Sequence, residues 1–218
     1  MKSLNLPIKS ISVRQSDAVI HVQSELPLVT LSSALFGGGY RWMRHILNAH
    51  VARDFNSPNP KAWLRSFAKD MNIREPFVGL LTAVKLRKAR IAFIESDGLG
   101  VAALITAGVN NATAAGVSLP FSAKPATINI ILLLDAHLTR SAMLNAVITA
   151  TEAKTAVLRE KKISTPEGDP ATGTSTDTVT IACTGKGALQ PYAGPVTSIG
   201  WLIARAVRQS LEDSLSAP

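Results

Sequence analysis

Cysteine is almost missing from this 218-residue chain, with Cys183 standing alone. A lone thiol cannot close an internal disulfide or supply a cysteine-rich zinc site, so a reducing compartment, the cytoplasm, is the simplest setting. Long apolar runs are lacking too. The most apolar stretch, Ile130 to Leu134, falls far short of the ~20 residues that a membrane-spanning helix needs. The start, Met1-Lys2-Ser3-Leu4-Asn5-Leu6-Pro7, has neither the apolar core nor the small-residue cleavage site of a secretory signal. No membrane partner is expected. The common catalytic signatures are also absent. There is no Gly-x-Ser-x-Gly elbow, no phosphate loop ending in Gly-Lys-Ser/Thr and no His-Glu-x-x-His pair. His21, His45, His50 and His137 share no metal-ligand spacing, so neither a metal site nor a resident cofactor is expected.

What is present describes a globular protein. The chain is 46% hydrophobic and 17% charged, and its length suits one domain over residues 1–218. At this size a fold buries roughly 70% of the surface of the extended chain and needs no metal or disulfide to stand. The formal charge of +8 is unevenly spread: residues 41–90 hold 11 Lys or Arg against three acids, Asp54, Asp70 and Glu75. Without aromatic interleaving, these bases read as a solvated face first, an anion-attracting face second and a nucleic-acid surface last; no nucleic-acid partner is expected.

Hydrophobic periodicity outlines the elements. Residues 7–14 and 17–22 alternate, and Gln15-Ser16-Asp17 between them predicts a hairpin. A strand-like Leu28–Leu31 runs into Gly37-Gly38-Gly39, where consecutive glycines let a backbone approach a ligand closely. Residues 40–53 read as a helix with Trp42, Ile46 and Ala49 on one face, and 61–71 as a second helix after Ser57-Pro58-Asn59-Pro60. Apolar runs at 77–84, 90–95, 101–106 and 127–134 suit strands covered on both sides. The clearest helix spans 139–160, with Leu144, Val147, Ile148, Thr151, Thr155 and Leu158 on one stripe and Glu152 and Lys154 on opposite shoulders of it. A closing helix over 196–215 buries Ile199, Ile203, Ala206 and Val207. The fold class is α/β, layered: a mixed sheet covered by helices in a single domain.

Polar residues inside core-like segments mark where chemistry could sit. Asn129 interrupts an apolar strand, and a buried amide costs free energy unless it is hydrogen-bonded. It either braces a neighbouring loop or faces a pocket. Asp135, which ends that strand, reads as a helix cap or macrodipole partner. Thr172, Thr174, Thr176, Thr178 and Ser175 surround Asp177, and such hydroxyls either cradle a polar ligand or build a hydrogen-bonded turn.

Several segments, in order, resemble the adenosylcobinamide amidohydrolase family of CbiZ type. These are Ser32-Ser33 with Gly37-Gly38, Asn48, Leu80-Leu81-Thr82-Ala83, and Thr106-Ala107-Gly108-Val109-Asn110-Asn111-Ala112. Further along come Thr127-Ile128-Asn129-Ile130 with Asp135, Thr151-Glu152-Ala153-Lys154-Thr155-Ala156 and Ala171-Thr172-Gly173-Thr174-Ser175-Thr176-Asp177. The resemblance spans about residues 28–210. It implies hydrolysis of the amide joining aminopropanol to a corrinoid ring, giving adenosylcobyric acid in a salvage route to cobalamin; the cobalt belongs to the substrate. It also implies a histidine before the last helix, where this chain has Pro195-Val196-Thr197-Ser198.

Amide hydrolysis needs a base, a proton donor and oxyanion donors. Asp177, Glu152 and Lys154 are the acid–base candidates, with Asp177 first as the base for water and Thr174 or Thr176 as oxyanion or substrate donors. Asn48, Asn110 and Asn129 suit the peripheral amides of a corrinoid, and Gly37 and Gly38 suit close backbone contact. Two other readings stand beside this one. Lys124-Pro125-Ala126-Thr127 is faintly similar to ornithine acetyltransferases, which would make Thr127 a nucleophile freed by self-cleavage. A corrinoid-binding protein without catalysis is the other. The sequence does not speak to oligomeric state.

Overall fold

The computed structural model describes residues 1–120 and 127–217. Lys124-Pro125-Ala126, the leading part of the acetyltransferase-like motif, lies outside the described residues. Strands β1 (Lys2–Leu4), β2 (Ile11–Gln15) and β3 (Val19–Ser32) open the chain, and β2 and β3 form the predicted hairpin. Ser16 closes its turn, taking the Val19 amide on Oγ at 3.2 Å. Strand β4 (Gly39–His50) and helix α1 (Pro60–Asp70) follow, then β5 (Phe77–Thr82), a 3-10 turn at Leu86–Lys88, β6 (Arg90–Ser96), β7 (Leu99–Ala107) and β8 (Ala112–Thr113). After β9 (Ile128–Asp135) and β10 (His137–Leu138) come α2 (Arg140–Glu160), β11 (Gly173–Thr174), β12 (Thr178–Cys183), β13 (Leu189–Gln190) and α3 (Ser198–Leu215). Asn59, Thr139 and Thr197 cap α1, α2 and α3 through their side-chain oxygens, as N-cap chemistry favours.

The main sheet runs β1-β2-β3-β12-β9-β7-β6, with β4 branching from β3 to β5. It is mixed: β9 and β12 are parallel, as are β4 and β5, while the other pairs in this sheet are antiparallel. The pairing of β3 with β4 shifts register between Gln23 and Leu28, so this long strand turns a corner. The sheet therefore curls into two β layers. Alternate residues of β9 show it: Ile128, Ile130, Leu132 and Leu134 pack with α2 and α3. Ile131 and Leu133 pack instead against Ile20, Val22, Ile46, Val78 and Leu80 of the other layer. Helix α1 covers the outside of that second layer, with Leu64 and Ala68 against Leu47, Ala49 and Phe77. The order is helices, sheet, sheet, helix. Asn129 falls on the sheet-to-sheet side of β9.

Three local expectations are corrected. Residues 40–50 form strand β4 and not a helix. A helix would have turned Trp42 inward, yet Trp42 is 58% exposed while Ile46, Leu47 and Ala49 are all buried. Covering by a β layer on one side and α1 on the other explains that unbroken buried run, and pairing on both edges outweighs local periodicity. The stripe expected to be core on α2 is largely its outer face: Leu144 is 57% and Ile148 54% exposed. The buried face carries Ala142, Met143, Ala146, Ala150, Ala153 and Val157; its small side chains let α2 approach the sheet and α3 closely. Asp135 also differs from expectation. Thr139 caps α2, and Asp135 accepts from Thr184 Oγ1 at 2.8 Å.

Candidate active site

The centre of the molecule is a polar network between two apolar layers. Asn129 is opposite Thr178 of β12 and Thr106 of β7. Its Oδ1 accepts from Thr178 Oγ1 at 2.8 Å and from Thr127 Oγ1 at 3.3 Å. Its Nδ2 donates to Asn48 Oδ1 and to the Leu81 carbonyl, both at 2.9 Å. Asn48 in turn donates to Thr106 Oγ1 at 3.0 Å. All four bonding positions of the Asn129 amide are thereby used. The network ties β4 and β5 to β7, β9 and β12 across the interface between the sheets.

A second hub stands beside it. The Asp177 carboxylate accepts from the Ile128 amide at 3.1 Å, the Thr174 amide at 3.1 Å, the Thr174 hydroxyl and Lys154 Nζ at 2.5 Å. Lys154 and Asp177 side chains are only 9% and 15% exposed. Gly173 leaves room for this pair, because a Cβ at that position would lie 2.5 Å from Asp177 Oδ2 and 2.7 Å from Lys154 Nζ and would displace one of them. Thr127 links the hub to the network, its one hydroxyl hydrogen shared between the Thr176 carbonyl at 2.8 Å and the longer contact to Asn129 Oδ1. The bend at 171–178 and the start of β9 thus meet, in a packed contact.

An open cleft of about 670 Å³ lies at the ends of the strands that carry the network, within the ~300–1,000 Å³ usual for ligand sites. His50, Arg53, Lys85, Arg87, Lys88 and Asn110 line it. His50 is two residues beyond Asn48, and the lining residue Ala107 directly follows Thr106. Gly108, also in the wall, donates its amide to the Thr127 carbonyl at 3.1 Å. His50 Nδ1 is 3.1 Å from the Val84 carbonyl. A carbonyl only accepts, so Nδ1 carries a hydrogen in that bond, and in the neutral ring Nε2 is then the acceptor.

The candidate residues therefore fall into separate places. Asn48, Asn129 and Thr127 share the buried network; Asp177, Lys154 and Thr174 share the hub; Thr176 joins the two through its carbonyl. Asn110 lines the cleft. Glu152 is exposed on the outer side of α2, in a shallow groove with Ile148 and Arg159. Gly37 and Gly38 lie apart, in the loop between β3 and β4. A Cβ on Gly37 would meet the Phe77 carbonyl at 2.1 Å, and one on Gly38 the Ala34 carbonyl at 2.6 Å. Their smallness serves close packing of that loop. His50 and the cations of the cleft were not singled out from sequence, because a helical reading of 40–53 points His50 nowhere in particular.

Other titratable groups sit elsewhere. His21 Nε2 and His45 Nδ1 are 2.9 Å apart on β3 and β4. Burial, then the neighbouring His45 and Arg14, holds His21 down at about 4. Burial pushes the Cys183 thiol up to about 12, so it does not supply a thiolate near neutral pH. Among the described residues, no three of His, Cys, Asp and Glu gather as a metal-binding group, and no helix is long and apolar enough to cross a membrane.

The model of the adenosylcobinamide amidohydrolase family matches residues 5–218. The chain is 38% identical over 194 residues to an adenosylcobinamide amidohydrolase of Methanosarcina mazei, covering 85% of this chain and 88% of that protein. It is 36% identical over 145 residues to one of Halobacterium salinarum, covering 63% and 58%. The chain belongs to the adenosylcobinamide amidohydrolase family, a family of amide hydrolases.

Proposed function

We propose that this family member hydrolyses the amide joining aminopropanol to the corrinoid ring of adenosylcobinamide, giving adenosylcobyric acid for re-entry into cobalamin synthesis by salvage. The match over residues 5–218 to the amidohydrolase family carries this reading. The cleft supports it, being a ligand-sized space whose wall holds an oriented imidazole and a side-chain amide. The corrinoid, with its cobalt, enters as substrate. The lone buried Cys183 is consistent with work in the reducing cytoplasm.

His50 is the proton acceptor. Its Nε2 takes a proton from a water that attacks the amide carbon, and Asn110 donates to the carbonyl oxygen as it gains charge. When the C–N bond breaks, the imidazolium returns the proton to the leaving nitrogen, and the acid so formed gives its remaining proton to the freed aminopropanol amine, leaving a carboxylate on the ring and an ammonium on the product. Asp177 is a positioning residue. With four donors on its two oxygens it has no lone pair to offer water. Lys154 and Thr174 hold it, and the Asn129 network fixes the strands that frame the cleft. Glu152, Gly37 and Gly38 take no part in this chemistry.

The test is incubation of the purified protein with adenosylcobinamide and assay for free aminopropanol. Release in amounts matching new carboxylate is expected. Tight binding without release would mean a corrinoid carrier instead. A second reading, Thr127 as a self-released nucleophile, is favoured by the bond from Gly108 in the cleft wall to Thr127. Intact mass separates the two: one species near 23.1 kDa supports attack by water, and two fragments divided before Thr127 support the threonine.

A further inference from the structure

We infer that the cleft is an oxyanion site whose ligand brings a carboxylate or phosphate group against Lys85, Arg87, Lys88 and Arg53. The inference rests on reading this cleft as the substrate site, and it adds the charge class of what is held there.

Four cations border one concavity, and among the described residues none of them lies within ion-pair distance of a carboxylate. Many exposed cations elsewhere, Lys61, Lys69 and Lys161 among them, also lack such a partner; what sets these four apart is that they share one concave wall. Like charges gathered on a concave wall repel one another and focus a positive potential into the space they enclose. An anion relieves both.

The backbone that presents them is clamped from behind. The 3-10 turn at Leu86–Lys88 buries Leu86, and three elements reach its carbonyls. Gln15 Nε2 donates to the Leu86 carbonyl at 2.7 Å, the Arg90 guanidinium to the Arg87 carbonyl at 2.9 Å, and Ser214 Oγ to the Lys88 carbonyl at 2.9 Å. The turn's carbonyls are therefore occupied, while its basic side chains extend from a fixed frame. Asn110 adds a neutral donor to the same lining. Amide hydrolysis turns a neutral carbonyl into a carboxylate, so a group of this charge arises in the reaction itself. A ligand that already carries a phosphate offers the same chemistry.

The test needs no turnover. Inorganic phosphate and acetate are titrated separately into the full chain, with the His50 ring resonance followed by ¹⁵N-edited NMR and assigned through His50→Gln. A saturable shift is expected. It should weaken by roughly tenfold or more when Lys85→Ala and Arg87→Ala are combined, since two charge-assisted partners are lost. The pair Lys61→Ala and Lys69→Ala, exposed on α1, should leave it unchanged. Response to acetate points to the carboxylate product, response to phosphate to a phosphorylated ligand, and response to both to a general oxyanion site. A shift that never saturates, or that is equal in the Lys85/Arg87 double variant, overturns the proposal. Saturable anion binding without aminopropanol release would overturn the hydrolase reading and leave this one standing.

Discussion

The Asp177 hub and the basic cleft are both rich in polar groups, yet they are opposites in how those groups are satisfied. In the hub, four donors converge on one carboxylate and occupy its lone pairs. In the cleft, the His50 bond to Val84 engages Nδ1 and not Nε2, and four cations have no acidic partner among the described residues. A saturated cluster fixes shape; an unsatisfied one at a concave surface is available for chemistry. On the proposed mechanism, Asp177 belongs to the architecture and His50 to the reaction.

The sharpest way to break that assignment is to disable each region in turn. His50→Gln should lower turnover by at least about 100-fold, the usual worth of a positioned base, with the melting temperature nearly unchanged. Steady-state kinetics alongside thermal unfolding checks both halves. Asp177→Ala should show mainly in stability. It leaves Lys154 without its partner, and breaking a buried pair costs roughly 3–5 kcal/mol; urea unfolding measures it. Gly173→Ala should cost in the same direction, since its methyl group would meet both charges.

A smaller effect concerns the histidine pair remote from both regions. His21 is held at about 4 in the fold against an ordinary 6.5. The unfolded chain therefore takes up a proton that the folded chain refuses. Stability contributed by neutral His21 is complete above pH 6.5 and is lost as pH falls from about 6.5 toward 4, by up to roughly 3 kcal/mol. Burial lowers His45 as well, with Glu75 opposing and Arg44 assisting. Denaturation measured from pH 7.5 to 4 should flatten in His21→Asn. The smallest effect is on α2. Leu144→Ser and Ile148→Ser should each change stability by about 0.5 kcal/mol or less, being exposed, whereas Met143→Ala on the buried face should cost about 2–5 kcal/mol.

Sequence periodicity carried the fold where burial is two-sided and simple. The runs that became β5, β7 and β9 were readable for that reason, whereas edge strand β6 is mostly half-buried, and α1 and α3 were readable from an apolar face and, for α1, the turn before it. It misled at β4, whose spacing of Trp42, Ile46 and Ala49 imitates a helix although two layers cover its second half. It misled again on α2, where alanines do the packing and larger residues face out. Asn129 and Asp177 were legible as polar residues in an apolar setting. Their satisfaction by Asn48, Leu81, Lys154 and the start of β9 was not, because those partners are 23 to 81 residues away. The basic surplus of residues 41–90 was plain, but only folding gathers Arg53, Lys85, Arg87 and Lys88 around one hollow.

The crystal structure of His50→Gln soaked with adenosylcobinamide locates the reacting bond directly. Our account places the amide carbon over the wall formed by Gly108 and Asn110, close enough to residue 50 for one intervening water, roughly 3–3.5 Å from each reacting atom. A corrinoid seated instead in the pocket around Gly37, Trp42 and Phe77, with its amide far from residue 50, would contradict it.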